Sequence, residues 1–194
     1  MHPIRVLPVA LVLSLAGCAS TPSSTASRDA RPMPASPTMA TNSAVANATV
    51  ALAPASGSLV SGKLTAMPMG DGVHFRGEIG GLKPNGTHAI HIHQKGDCSA
   101  ADATSAGDHF NPSMEPHGKV DTPAHHGGDM NNIVAGSDGV AKVDVHAKGV
   151  VLGGNAANDA LGRAVIVHAA PDDYVSQPSG NAGNRIACGV IAQR

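Results

Sequence analysis

The sequence predicts an all-β domain, an antiparallel sandwich or barrel, and its composition and patterning both support this fold class. Glycine is abundant, at 23 of 194 residues, whereas the aromatic side chains are two phenylalanines and one tyrosine. This composition suits a sheet filled by small and β-branched side chains and joined by many tight turns. Short apolar segments alternate with turn signals, and no stretch shows a sustained helical period.

The charge balance limits the partners of the chain, and its histidine content suggests a function. The formal net charge is −1, which favours neither nucleic acid nor an anionic membrane surface. Any attraction for an anion must therefore be local. Eleven histidines are unusual in a chain of which 14% is charged, and imidazole is a common ligand for zinc and copper. A metal site is the first functional hypothesis.

Residues 1–17 are predicted to be an export signal. Arg5 precedes an apolar run, 6–16, which has the length of a signal core and is too short to span a bilayer. The run ends in Leu15-Ala16-Gly17-Cys18, which resembles the lipobox of bacterial lipoproteins. Cleavage would leave a diacylated Cys18 as the first residue, and two acyl chains anchor a protein stably. Ordinary cleavage near Ala19, or a chance apolar start, is the alternative.

Residues 18–47 are interpreted as the lipidated cysteine and a flexible tether, and residues 48–194 as the folded domain. Ser, Thr, Ala, Pro and Met dominate the tether, so it cannot bury enough apolar surface to offset the entropy of ordering. We expect a lipid-anchored protein at the periplasmic face of the cell envelope. Because Ala19 is not an acidic retention cue, the outer membrane is favoured over the inner one.

Eight short apolar segments of the domain are predicted strands. Gly70-Asp71-Gly72 and Ser137-Asp138-Gly139 lie between neighbouring segments and are typical of tight hairpin turns. Two long segments, 96–130 and 169–185, interrupt the pattern, and loops of that length inside a compact domain are usually functional. The predicted strands are 48–53, 59–67, 73–79, 87–93, 132–135, 140–145, 164–168 and 186–191.

The candidate metal ligands lie on two predicted strands and in the first long loop. In THAIHIH the alternation of a strand puts His91 and His93 on one face and His88 on the other. The strand ending in AVIVH adds His168. The loop supplies three imidazoles and one carboxylate, a set that suits tetrahedral zinc: His109, His117, His126 and Asp129.

From about residue 48 to residue 191 the chain resembles the copper,zinc superoxide dismutase family. The matching strings, in order, are HAIHIHQKGDC, SAGDHFNP, PHG, HGGDMNN, GRAVIVH, PDD and GNAGNRIACGVI. The resemblance implies a Greek-key β-barrel or sandwich with two long functional loops, and one copper and one zinc ion per subunit. It also implies dismutation of superoxide to oxygen and hydrogen peroxide, as copper is alternately reduced and oxidised.

Carried over residue by residue, the resemblance assigns the ligands of both metals. Copper is expected on His91, His93, His109 and His168, and zinc on His109, His117, His126 and Asp129. His109 is the implied bridge, and it would leave copper on reduction, take up a proton and deliver it to the peroxide. His126 is preferred to His125 because it fits the family motif His-x-Gly-Asp.

The resemblance also assigns residues around the metals. Arg185 matches the arginine that guides the anion to copper, and Asp172 matches the carboxylate that links a zinc ligand to a copper ligand. Cys98 and Cys188 match the family's cysteine pair. With Cys18 used for lipid they form an even pair, and an oxidising compartment permits a disulfide between them.

The chain departs from the family in one respect. The stretch between Asp173 and Arg185 contains no charged residue, so steering of the anion would depend on Arg185, the metals and Lys95 or Lys119.

Two other functions fit the residues less well. A non-enzymatic metal store would not need the complete ligand set with Arg185. A zinc hydrolase would need an open zinc position, which four protein ligands fill. A monomer and a homodimer are both left open.

Overall fold

The computed structural model describes residues 38–194. The predicted signal, Cys18 and most of the predicted tether lie outside the described residues. The nine strands of the described part are β1 (Ala48–Pro54), β2 (Ser61–Met69), β3 (Gly72–Gly80), β4 (Thr87–His88), β5 (Ile90–His93), β6 (Ile133–Val134), β7 (Ala141–Lys148), β8 (Ala164–His168) and β9 (Arg185–Gln193).

The strands form an antiparallel sheet in the order β5-β8-β9-β1-β2-β3-β7, and β4 pairs separately with β6. The predicted all-β, antiparallel fold class is confirmed. The only helix in the described chain is a 3₁₀ turn, Thr104–Ala106, and residues 38–194 hold none long and apolar enough to cross a membrane.

Each predicted strand segment corresponds to a strand, but one segment is divided. The predicted strand 87–93 changes partners at Ala89, because β4 pairs with β6 whereas β5 pairs with β8. Ala89 itself donates its N–H to the carbonyl of Ala170 and accepts from the N–H of His168. The residue between β4 and β5 is thereby bonded to the loop that follows β8.

Alternation along the strands decides which face carries the metal ligands. Ile90 and Ile92 of β5, like Val165 and Val167 of β8, point into the main hydrophobic core. His91, His93 and His168 therefore lie on the outer face of the sheet. They are nevertheless buried, because the loops 94–132 and 169–184 cover that face.

A second apolar cluster anchors the first of these loops to the outer face. Ile166 of β8 and Cys188 of β9 pack there with Ala103 and Ala106 of the loop. Cys98, at the start of the loop, is joined to Cys188 by a disulfide that spans 90 residues of sequence. The loop is thus fixed to the sheet both by packing and by a covalent bond.

Residues 38–47, assigned from the sequence to the tether, are hydrogen-bonded to the loop between β7 and β8. The side chain of Asn158 bonds to both the N–H and the carbonyl of Ala40, at 2.8 Å each. The N–H groups of Ala44 and Val45 donate to the carbonyl of Leu152. Within the described chain, packing therefore begins before the predicted boundary at Ala48.

The disulfide is expected to contribute substantially to stability. Replacing both Cys98 and Cys188 by serine should lower the free energy of unfolding by about 3 to 5 kcal/mol, because the cross-link restricts a long segment of the unfolded chain. Urea denaturation of the metal-loaded protein measures the change. The double variant Cys98→Ala, Cys188→Ala also lacks the cross-link but buries no hydroxyl at position 188. Comparing it with the serine variant separates the two effects. Titration of the native protein that found both thiols free would contradict the bond.

Candidate metal centre

The loop 94–132 returns to the edge of β5 and pairs with it. The N–H of Ile92 donates to Gly128 and its carbonyl accepts from Phe110, each at 2.8 Å. Bridges of the same kind place Asp129 beside His91, and His109 beside His93. A Cβ at Gly128 would collide with the carbonyl of Ile92, so only glycine permits this approach. Local backbone pairing therefore brings distant ligands to the strand that holds the first two.

The structure brings every sequence-predicted ligand into one of two buried groups. In each group one donor atom per residue lies within 4.8 Å of all the others. His109 belongs to both groups, and His125 belongs to neither, because its ring is turned onto the carbonyl of His126, 2.7 Å away. The first group is His91, His93, His109 and His168, and the second is His109, His117, His126 and Asp129.

The second group has the dimensions of a tetrahedral zinc site. Oδ1 of Asp129 lies 2.9 Å from Nδ1 of His109, 3.0 Å from Nδ1 of His117 and 3.4 Å from Nδ1 of His126. The Nδ1 atoms of His126 and His109 are also 3.4 Å apart. Bonds of 2.0–2.1 Å from zinc to nitrogen and oxygen give tetrahedron edges of about 3.3 Å. Three imidazoles and one carboxylate thus fit zinc and leave it no open position.

Asp129 is an ionised carboxylate in this setting. Burial by itself would raise the pKa of Asp129, but the contacts with three imidazoles outweigh burial and hold that pKa far below its usual range. Its second oxygen accepts from the backbone N–H groups of Gly118, at 3.1 Å, and His126, at 2.8 Å. The carboxylate therefore orients the loop as well as facing the metal position.

In the first group each imidazole leaves one ring nitrogen for a metal. Nδ1 of His93 bonds to the carbonyl of Gly107 at 2.8 Å, and Nδ1 of His168 to that of Gly183 at 3.3 Å, while their Nε2 atoms lie 3.4 Å apart. Nε2 of His91 bonds to Asp172, and its Nδ1 is buried without a partner in residues 38–194. The engaged nitrogens fix the rings and tautomers that ligation requires.

Neutral imidazoles are the form that ligates metals, and the first group favours it. Burial, reinforced by the charge of neighbouring rings, holds the pKa values of His93 and His168 well below the ordinary value. Burial likewise lowers the pKa of His109 to about 4. A group made only of imidazoles suits copper, the metal of the two with accessible redox states.

His109 is oriented to bridge the two groups. Its Nδ1 faces Asp129 in the second group, which leaves Nε2 for the first. That Nε2 is buried and unpartnered within the described chain, so it is an orphaned polar atom unless a metal or a proton occupies its lone pair. The donor sets therefore fit one copper and one zinc ion joined through a shared imidazole.

Asp172 hydrogen-bonds one histidine of each group, at the ring nitrogen that does not face the metal position. Its Oδ2 lies 2.8 Å from Nε2 of His91 and its Oδ1 2.9 Å from Nε2 of His117. Burial lowers the pKa of His117, but its contacts with Asp129 and Asp172 together outweigh burial and raise that pKa to about 9. A Cβ at Gly180, whose φ is +66°, would collide with Asp172, so the second long loop closes tightly over this carboxylate.

Arg185 lies in a cavity of about 390 Å³ with His93, His109 and His168. Its guanidinium donates to the carbonyls of Ala103 and Gly107, at 2.7 Å each. The carbonyl of Gly107 also bonds His93, so one backbone group positions both the cation and an imidazole of the first group. Neither Lys95 nor Lys119 lines this cavity in the described structure.

Sequence reasoning missed two residues that shape this centre. Asp108 lines the same cavity as Arg185, and its only sequence signal was its place beside His109. Arg163 lies over the ring of Phe110, 3.6 Å from its centroid, and donates to the carbonyl of Gln94 at 2.6 Å. It supports both ends of the loop segment that carries His109.

Comparisons with known proteins agree with this geometry. A family model described as copper/zinc superoxide dismutase matches residues 60–191. The chain is 44% identical over 124 residues to superoxide dismutase [Cu-Zn] 3 of Arabidopsis thaliana, covering 61% of this chain and 73% of that one. It is 41% identical over 136 residues to superoxide dismutase [Cu-Zn] of Caulobacter vibrioides, covering 68% and 78%. A crystal structure of a SOD-like protein from Bacillus subtilis superposes with a TM-score of 0.67 at 35% identity, covering 74% and 97%.

Removing Asp129 should separate the two metal groups. We expect Asp129→Ala to weaken zinc by more than the roughly 10- to 100-fold that loss of an outer partner causes. Copper should remain, because His91, His93 and His168 keep their donors. Metal content by mass spectrometry measures both, with Asp121→Ala, an exposed carboxylate of the same loop, as control. Joint loss of both metals in Asp129→Ala alone would show that the groups are not separable.

Proposed function

The chain belongs to the copper/zinc superoxide dismutase family and is a superoxide dismutase that uses copper and zinc, and we propose that it protects the cell envelope from superoxide formed outside the cytoplasm. We assign copper to the group of four imidazoles and zinc to the group that contains Asp129. The observation that carries this assignment is His109, whose two ring nitrogens serve different groups.

Copper held by His91, His93, His109 and His168 would supply the electron exchange between two superoxide ions. Zinc held by the second group would fix the loop. The protein must add what the metals do not: attraction of the anion, its orientation, and the two protons that convert reduced superoxide to hydrogen peroxide.

We assign proton handling to Nε2 of His109. The opposite nitrogen, Nδ1, is held within 2.9 Å of Asp129, so the ring cannot turn away when Nε2 changes its partner. His109 also lines the cavity that holds Arg185, which places its ring beside the space that substrate would enter. A ring fixed at one nitrogen and exchangeable at the other can store one proton and deliver it at a defined point.

We assign attraction of the anion to Arg185. Guanidinium stays charged at any working pH and presents several donors in one plane, so it both attracts superoxide and orients it. Its two bonds to loop carbonyls hold it beside His93. Asp108 lines the same cavity with the opposite charge, and the stretch from residue 174 to 184 carries no charge at all. The guidance of the anion therefore depends on this one side chain more than on a distributed field.

The proposed location is supported by the first residues and by the cysteines. The apolar run 6–16 followed by Cys18 is typical of an exported lipoprotein, and Cys18 is the one cysteine that the disulfide does not use. Stable disulfides belong to oxidising compartments such as the periplasm. We propose attachment at the periplasmic face, with the outer membrane favoured.

Charge reversal at Arg185 should lower dismutation. We expect activity to decrease from wild type to Arg185→Ile to Arg185→Glu, by about tenfold or more overall, and the wild-type rate to fall as salt screens charges over ~10 Å at 0.1 M. The measurement is decay of pulse-generated superoxide on variants with equal metal content. Lys142→Glu, on an exposed strand position, makes the same charge change elsewhere. Equal rates for wild type and Arg185→Glu would refute the assignment.

Membrane attachment should depend on Cys18. We expect radioactive palmitate to label wild type and Ser20→Ala but not Cys18→Ser. The Cys18→Ser protein should appear in the soluble fraction, because Cys18 is the one lipidation site that the sequence predicts. Retention of Cys18→Ser on membranes to the wild-type extent would contradict the anchor.

A further inference from the structure

Two histidines outside the metal centre lie side by side on the outer face of the sheet. His74 of β3 is the direct antiparallel partner of His146 of β7. Their neighbours Val73, Phe75, Val145 and Ala147 point into the core, so both imidazoles point outward. Met67 of β2 is the direct partner of His74 on the other side. A thioether and two imidazoles therefore form a row across three adjacent strands.

Both imidazoles have a carboxylate at one ring nitrogen. Nε2 of His146 hydrogen-bonds Oδ1 of Asp71 at 2.9 Å. Nε2 of His74 lies 2.7 Å from Oδ1 of Asp144, a close contact although its angle is not that of a hydrogen bond. The second oxygen of each carboxylate contacts a cation, Lys148 at 3.2 Å for Asp71 and Arg76 at 3.3 Å for Asp144. The carboxylates are thus held against the rings.

The other nitrogen of each ring is left without a partner. Nδ1 of His74 and Nδ1 of His146 are both buried and make no hydrogen bond within residues 38–194. Only 8% of the His74 side chain is exposed, against 25% for His146. Orphaned buried nitrogens are unfavourable unless a ligand satisfies them. The more exposed ring, His146, gives such a ligand access from solvent.

The same arrangement occurs at His91 in the metal centre. There, too, a carboxylate, Asp172, engages Nε2 and leaves a buried, unpartnered Nδ1 for a metal. The ring centroids of His74 and His146 are 6.1 Å apart. The rings of His109 and His168, which share the first group, are 6.3 Å apart, so a separation of 6.1 Å is compatible with two imidazoles on one ion. Carboxylates at the far nitrogen are the usual outer partners of metal-bound histidine.

We propose that Nδ1 of His74 and Nδ1 of His146, with the thioether of Met67, form a second copper site on the outer face of the sheet. Two imidazoles suit copper and zinc alike, but a thioether is a soft ligand that favours copper, above all Cu(I). Asp144 and Asp71 orient the rings. The site lies on strands that carry none of the seven residues assigned to copper and zinc, so it binds its ion independently of the dismutase centre.

The test is the metal capacity of the full chain already loaded with one copper and one zinc ion. Further Cu²⁺ is added, unbound ion is removed by gel filtration, and the metals are counted by mass spectrometry. Wild type should retain one additional copper per chain, with a paramagnetic resonance spectrum distinct from that of the first. Absence of that additional copper in wild type would overturn the proposal.

Variants locate the additional ion. His146→Gln and His74→Gln should each lose it while retaining dismutase activity, which shows that the fold and the first two ions are intact. Asp144→Asn should weaken it by roughly 10- to 100-fold. Met67→Leu should weaken binding of Cu⁺ by about tenfold or more and leave binding of Zn²⁺ unchanged. Glu78→Gln, an exposed position on β3, is the control and should change nothing.

Retention of the additional copper by both histidine variants would show adventitious binding elsewhere and refute the site. Because His146 is partly exposed, its variant is decisive even if His74→Gln does not fold.

Discussion

The carboxylate of Asp129 is contacted by three imidazoles and two backbone N–H groups, and all five come from one loop of the chain. A buried anion is strongly unfavourable unless it is surrounded in this way. The loop must therefore adopt the conformation that brings His109, His117 and His126 to the same point. The bridge between Asp129 and His91 transmits this conformation to β5, and the first metal group is completed as a consequence.

Burial of so many polar side chains is possible because the ligands lie on the outer face of the sheet and not in its core. The inward face of β5 and β8 is filled by aliphatic side chains, which give the two strands a rigid base. The loops then exclude water from the outward face. Asp172 completes this arrangement, because it joins His91 on a strand to His117 in a loop, and the second loop closes over it through Gly180. Packing stabilises the frame, and hydrogen bonds among charged groups determine the geometry of the site.

The sequence predicts the strands well, because alternating apolar and polar residues and flanking turn residues mark them. His91 and His93 could be placed on one face from spacing alone, whereas the complete ligand set required the family motifs, since no local rule brings Asp129 to His109. Other features depend on loop conformation and were not predictable. The carbonyl of Gly107 shared by Arg185 and His93, the place of Asp108 in the cavity, and the change of partner at Ala89 are of this kind. The packing of residues 38–47 also escaped prediction, because hydrogen bonds to the backbone of Leu152 and the side chain of Asn158 hold that segment, together with the contact of Val45 with the core.

The cavity beside the first group explains why we assign attraction of the anion to a single cation. Charged groups in solvent are screened over ~10 Å at 0.1 M salt, so the slightly acidic surface as a whole exerts little force on an anion at the cavity. Arg185 is only partly exposed, and its guanidinium is held by two carbonyls of the loop 94–132. Its field is therefore less screened than that of Lys95 or Lys119, and its direction is fixed. Asp108 partly offsets this field from within the same cavity, because an anion that approaches the imidazoles passes both charges. On this assignment, Arg185 attracts the anion against the opposing charge of Asp108, and the loop that Asp129 orders holds Arg185 in place.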